Sequence, residues 1–104
     1  MSSEQLHTPR EKFGRQTVAL HQAIISHIEE LEADDWYRQR ADDCDNANLK
    51  ANLLHNMREE IEHASMQIEW LRSSSPDFAS QLNEYLFIIK DIVAAKKSKM
   101  GKKK

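Results

Sequence analysis

From Phe13 to Arg40 the chain meets no proline and one glycine, Gly14, while Leu20, Ile24, Ile28 and Leu31 recur at spacings of four, four and three. That period, in a stretch without breakers, puts the apolar residues on one face of an α-helix. A second series, Leu54, Met57, Ile61, Ala64, Ile68 and Leu71, alternates threes and fours within Ala47 to Arg72. It is a heptad-like seam, suited to antiparallel packing on the first helix. Asp42-Asp43-Cys44-Asp45-Asn46 lies between the two series and is rich in turn and N-cap residues. The frame of the fold is therefore an all-α antiparallel hairpin.

Ser73-Ser74-Ser75-Pro76 ends the second helix, with Ser75 placed to cap a third and Pro76 at its first helical position. This third helix is expected from about Pro76 to Ala95, with Phe78, Leu82, Leu86 and Ile89 on one side and Ile88, Ile92 and Val93 widening that face. No run alternates apolar and polar residues with β-branched enrichment, so strands are not expected. The polar residues 1–12 and the Lys-rich residues 96–104 are expected to be irregular, leaving 13–95 as one helical domain. A hairpin of 104 residues has a limited core, and oligomerisation is the usual way such a hairpin covers its apolar stripes.

Six of the fifteen basic side chains lie in residues 96–104, which hold no acid, so the remaining body carries nine bases against seventeen acids, a balance of −8. A body that acidic attracts cations and repels nucleic acid. The basic tail has no aromatic residues interleaved, which reads as a solvated end rather than a nucleic-acid arm. The single cysteine, Cys44, excludes an intrachain disulfide and a cysteine metal cluster. No window of eighteen apolar residues exists and the N-terminus is polar, so neither a membrane span nor a secretory signal is expected, and the chain reads as cytosolic.

The chemistry centres on Glu60 and His63. Three residues apart on a helix, a carboxylate and an imidazole address one ion from one face. Carboxylate oxygen with one imidazole nitrogen suits iron or manganese better than zinc. On the first helix Glu30 has Ala23, Ser26 and Ala33 at helical offsets, small neighbours that allow another helix to approach. Di-iron carboxylate bundles take a Glu from each of two helices and a Glu-x-x-His from each of the other two. This chain offers half of that set, so a two-fold homodimer would complete it with two copies each of Glu30, Glu60 and His63. Spacing alone leaves open a solvated helix face, a non-catalytic helical-hairpin adaptor, or a metal-binding module without turnover.

The run Glu29-Glu30-Leu31-Glu32-Ala33-Asp34-Asp35-Trp36-Tyr37 resembles the first-helix signature of encapsulated ferritins. His55-Asn56-Met57-Arg58-Glu59-Glu60-Ile61-Glu62-His63-Ala64 resembles their second-helix signature, and Glu69-Trp70-Leu71-Arg72 and Tyr85-Leu86-Phe87 are similar to segments that follow. The similarity covers roughly residues 17 to 90. It implies a ferritin-like four-helix di-iron bundle completed by homodimerisation, with a ferroxidase centre of Glu30, Glu60 and His63 from both chains and two iron ions per dimer. Glu60 would bridge the irons, with Glu30 and His63 completing each coordination sphere. Glu29 and Glu32 would form an outer site for calcium or another divalent cation on the way in. Trp36 and Tyr37 would pack over the centre, the Tyr37 hydroxyl supporting a ligand carboxylate.

The resemblance further implies a decameric ring of five dimers and, as partner and location, an encapsulin shell protein and its nanocompartment. There the Fe(III) product would be stored as mineral. The family's Gly-Ser-Leu-type targeting peptide has no counterpart after Val93, where lysines follow instead. The ligand positions themselves are intact.

Overall fold

The computed structural model describes residues 6–89 and 91–102, and all of its regular elements are helical. A single 3₁₀ turn, Arg10–Lys12, precedes four α-helices: α1 (Arg15–Asp42), α2 (Ala47–Ser74), α3 (Pro76–Tyr85) and α4 (Ile92–Lys102). The chain divides into two compact units, Met1–Leu71 and Arg72–Lys104. Of the segments expected to be irregular, residues 1–5 and 103–104 lie outside the described residues.

The first unit is the hairpin. Gly14 precedes α1 in extended backbone, and Leu6, Phe13 and Val18 line a small apolar depression at the start of that helix. After Asp42 the backbone closes with the Asp43 amide donating to the Gln39 carbonyl and the Cys44 amide to the Ala41 carbonyl, both at 3.2 Å. Asn46 then caps α2, its side-chain oxygen accepting from the Leu49 amide at 2.9 Å. This satisfies one of the donors that a helix start leaves unpaired. So short a link returns α2 antiparallel along α1.

Among the described residues the buried apolar side chains are Ala41, Met57, Ala64 and Leu71. Two are alanines, which let the helix axes approach, and none is a large side chain wholly removed from water, so the core is thin. The expected α2 seam is only half used in this way. Met57, Ala64 and Leu71, seven apart, are buried, whereas Ile61 and Ile68 remain 39% and 37% exposed. On α1 likewise Ile24 and Leu31 stay exposed while Leu20 and Ile28 are half-buried. The face of α1 turned inward runs through Ala23, His27, Glu30, Ala33, Tyr37 and Ala41.

The second unit contains α3, whose cap is the expected one: Ser75 accepts from the Phe78 amide at 3.4 Å and Pro76 opens the helix. The single helix expected over Pro76 to Ala95 is instead two. α3 ends at Tyr85, Leu86 turns to extended backbone and Phe87 takes φ 61°, a left-handed value unusual for a side-chain-bearing residue. The break is made by backbone conformation at Leu86 and Phe87, without glycine or proline. Asp91, a residue type favoured at N-caps, precedes α4, which carries helix through Lys96–Lys102, where composition alone suggests irregular chain. No described helix is long and apolar enough to cross a membrane.

Candidate metal centre

Glu30 and Glu60 lie about equally far from the turn, Glu30 back along α1 and Glu60 forward along α2, so the antiparallel hairpin sets them at one level. Both are half-buried. One turn on from Glu60, His63 brings its Nδ1 to 3.9 Å from Glu60 Oε1, with the Glu60 side chain 25% and the His63 side chain 47% exposed. The spacing of three holds them on one face, as the sequence requires.

The electrostatics tie α1 to this pair. Glu30 Oε2 is a buried oxygen with no hydrogen-bond partner. Loss of water by burial is the main cause that holds the Glu30 carboxyl above the ordinary glutamate range. Neighbouring charge then acts in both directions: His63 and His27 favour its ionised form, and Glu60 and Glu29 oppose it. The three residues expected as ligands are thus brought within electrostatic reach of one another. A carboxyl with one buried, unpartnered oxygen, within electrostatic reach of a second carboxylate and two imidazoles, offers oxygen and nitrogen donors of the kind that suit iron, and a cation there would relieve the desolvation that raises Glu30.

Among the described residues no three His, Cys, Asp or Glu side chains come close enough together to hold a metal ion. Glu29 is exposed beside Glu30 and acts on it through charge, whereas Glu32 is exposed without a comparable link to the centre. Trp36, half exposed, shares a shallow depression with Gln39 and Arg40. The Tyr37 ring is half-buried and takes the Arg40 guanidinium 5.9 Å from its centroid, a cation–π contact.

His27 is the residue that sequence patterning did not single out. Its Nδ1 is buried without a hydrogen-bond partner, one helical turn before Glu30 on the same face. The available signal was His-x-x-Glu on α1, the mirror of Glu-x-x-His on α2. Other ionic contacts nearby are exposed and local, as in Arg38 with Asp34 at 3.2 Å and His55 with Glu59 at 3.7 Å.

The profile of the EncFtn-like family matches residues 5–89. The chain belongs to the EncFtn-like family. A curated relative from Rhodospirillum rubrum, described as an encapsulated ferritin-like protein, is 49% identical over 86 residues, covering 83% of this chain and 61% of its own length. The chain therefore spans about three-fifths of that relative. A ferritin-like protein of Thermotoga maritima is 34% identical over 99 residues, covering 95% of this chain and 87% of its own length. Among solved structures, a crystal structure of a Nitrosomonas europaea protein shares 46% identity with a TM-score of 0.80, covering 84% of this chain and 96% of that one. Family membership and the described helices agree with the ferritin-like, all-helical reading of the fold, and the matched span contains the whole of α1, α2 and α3.

Proposed function

We propose that this EncFtn-like chain is a ferroxidase that oxidises Fe(II) to Fe(III) with dioxygen at a di-iron carboxylate centre shared by two copies. The observation that carries the reading is the half-buried Glu30 carboxyl, one oxygen of it buried without a hydrogen-bond partner, within electrostatic reach of Glu60 and His63. The ferritin-like names of its relatives supply the link to iron.

A two-fold pairing of hairpins would bring two copies of Glu30, Glu60 and His63 together. Four carboxylates neutralise two Fe(II) ions and favour the more highly charged Fe(III) product. Two Fe(II) ions held there would each give one electron to a dioxygen molecule, which takes two protons from water and leaves as hydrogen peroxide. Glu30, Glu60 and His63 of both copies would hold the two ions, Glu60 being the more shielded member of the α2 pair. Glu29 and Glu32, both exposed on α1, would form an outer station for calcium or another divalent cation, and Trp36 and Tyr37 would pack over the centre, the Tyr37 hydroxyl supporting a ligand carboxylate. The apolar stripe left open by the hairpin, Ile24 and Leu31 on α1 with Ile61 and Ile68 on α2, supports a partner helix pair. Assembly into a decameric ring and delivery of Fe(III) to an encapsulin shell complete the proposal, the latter resting on the word "encapsulated" in the name of the Rhodospirillum rubrum relative.

The test is Fe(II) oxidation in air, followed as Fe(III) absorbance, by the wild type and by Glu60→Ala. Fast oxidation by the wild type and its loss in Glu60→Ala is the expected result. Metal binding without dioxygen consumption would replace the enzyme with a metal buffer. Oxidation no faster than buffer, with no metal bound, would leave a helical-hairpin adaptor.

A further inference from the structure

The two compact units of the chain carry opposite charge. Met1–Leu71 holds seven basic and fourteen acidic side chains, a balance of −7, whereas Arg72–Lys104 holds eight and three, a balance of +5. The basic unit also displays apolar side chains that nothing in the single chain covers: Phe87 is 97% exposed and Ile89 wholly so, and Ile92 and Val93 stand at 67% and 63%. Phe87 is held at φ 61°, a backbone setting that bulky residues rarely occupy. Exposed apolar side chains gathered in one short segment mark an interaction surface more often than isolated ones do.

In α4 the apolar and basic residues are divided along the helix rather than around it. Ile92 stands one turn before Lys96 and Val93 one turn before Lys97, both lysines exposed, so each apolar side chain shares its face with a cation. A helix that lies on a lipid surface separates the two kinds of residue onto opposite faces. This one suits a protein surface on which an apolar step adjoins an acidic one. The acidic unit has such a surface at the turn of the hairpin. Residues 41–49 contain Asp42, Asp43 and Asp45, all exposed, no basic residue, and Leu49 at 50% exposure.

We propose that the segment from Leu86 through α4 docks on the hairpin turn of a further copy of this chain, Phe87, Ile89, Ile92 and Val93 meeting Leu49 while Lys96 and Lys97 meet Asp42, Asp43 and Asp45. The two patches are unlike, so the contact runs head to tail and joins one pair of copies to the next. It rests on the two-copy pairing above and adds a second interface to it. A single contact of this kind is small, but a pair of copies presents it twice, and that multiplies its effect. Opposed exposed charges make it weaken with salt, whereas the apolar stripe that joins each pair is not screened.

The experiment is sedimentation velocity of the full-length chain at low salt and at about 1 M NaCl, where the screening length falls to about 3 Å. The wild type should form assemblies larger than a pair at low salt and fall back to pairs at high salt. Lys96→Glu with Lys97→Glu should weaken the larger assembly about tenfold or more at low salt, leaving pairs that oxidise Fe(II) at the wild-type rate per chain. Adding Asp42→Lys and Asp43→Lys to that variant should restore the assembly by exchanging the charges. Phe87→Asn, whose side chain tolerates the left-handed conformation, should lose the assembly while keeping its helicity by circular dichroism. A wild type that pairs but grows no larger at low salt, or lysine variants that assemble as the wild type does, overturns the proposal, as does a charge exchange that restores nothing. Lysine-dependent binding to vesicles of phosphatidylcholine and phosphatidylserine, with no assembly beyond pairs, would give the segment to a membrane surface instead. Salt-sensitive assembly by a wild type that does not oxidise Fe(II) would sink the ferroxidase reading and leave this contact standing.

Discussion

Glu30→Gln should make the metal-free protein more stable, not less, and the gain should depend on pH. Glu30 carries a buried oxygen with no partner, and burial holds its carboxyl above the ordinary glutamate range. In the folded chain it therefore takes up a proton at a higher pH than in the unfolded chain. The ionised form works against folding: its cost is fully present above the folded-state pKa and vanishes as pH falls below the unfolded value, about pH 4. An unsatisfied buried group costs roughly 1–3 kcal/mol. The lower end applies here, because Glu30 is only half-buried, His63 and His27 offset part of the penalty, and glutamine still leaves a polar atom in place. About 1 kcal/mol corresponds to a rise in Tm of roughly 4–8 °C for a domain of this size. Thermal unfolding in chelator at pH 7 and near pH 4 reads it, with the advantage of Glu30→Gln expected at pH 7 and fading in acid. Adding Co(II) should reverse the ranking, since a ligand at a hundred times its Kd adds about 2.7 kcal/mol to the form that binds it. A metal-free Glu30→Gln no more stable than wild type at pH 7, or an advantage unchanged in acid, would refute the account of Glu30 as a carboxyl destabilised by burial.

Two further perturbations probe the scaffold. Asn46→Ala removes the side-chain oxygen that caps α2 at Leu49 and should cost about 1 kcal/mol, read as a lower denaturation midpoint with an unchanged slope. Ile61→Asp combined with Ile68→Asp changes exposed positions on α2 outside the buried Met57, Ala64 and Leu71. It should preserve helicity while abolishing self-association in sedimentation and, with it, Fe(II) oxidation; an intact oligomer would show that this stripe is not the pairing face.

The parts of the fold that were legible in the sequence are those decided by local chemistry. Asn46 and Ser75 stand where a side-chain oxygen can meet the first free amides of a helix, and both do so within a few residues of chain. The break after Tyr85 was not legible, because it is made by Leu86 in extended backbone and Phe87 at positive φ, a conformation no residue in that run announces.

The apolar seam misled for a different reason. A stripe that repeats in threes and fours says that a helix has a partner, but not how many. On α2 the series from Leu54 to Leu71 is wider than one neighbouring helix can cover, and the hairpin divides it. Met57, Ala64 and Leu71 are buried within the chain, and Ile61 and Ile68 are left outside. What decides the division is the small-residue stripe on α1, where Ala23, Ala33 and Ala41 allow close approach but bring Glu30 and His27 inward with them. A hairpin chosen for burial alone would turn Ile24 and Leu31 inward and expose Glu30 to water. This one does the opposite, leaving apolar side chains on the surface and orphaned donors inside. On the proposed function a second copy would cover the isoleucines and a metal ion would satisfy the Glu30 carboxylate. Stability and metal binding in this chain are therefore expected to be coupled, and the metal-free single hairpin to be the least stable form of the protein.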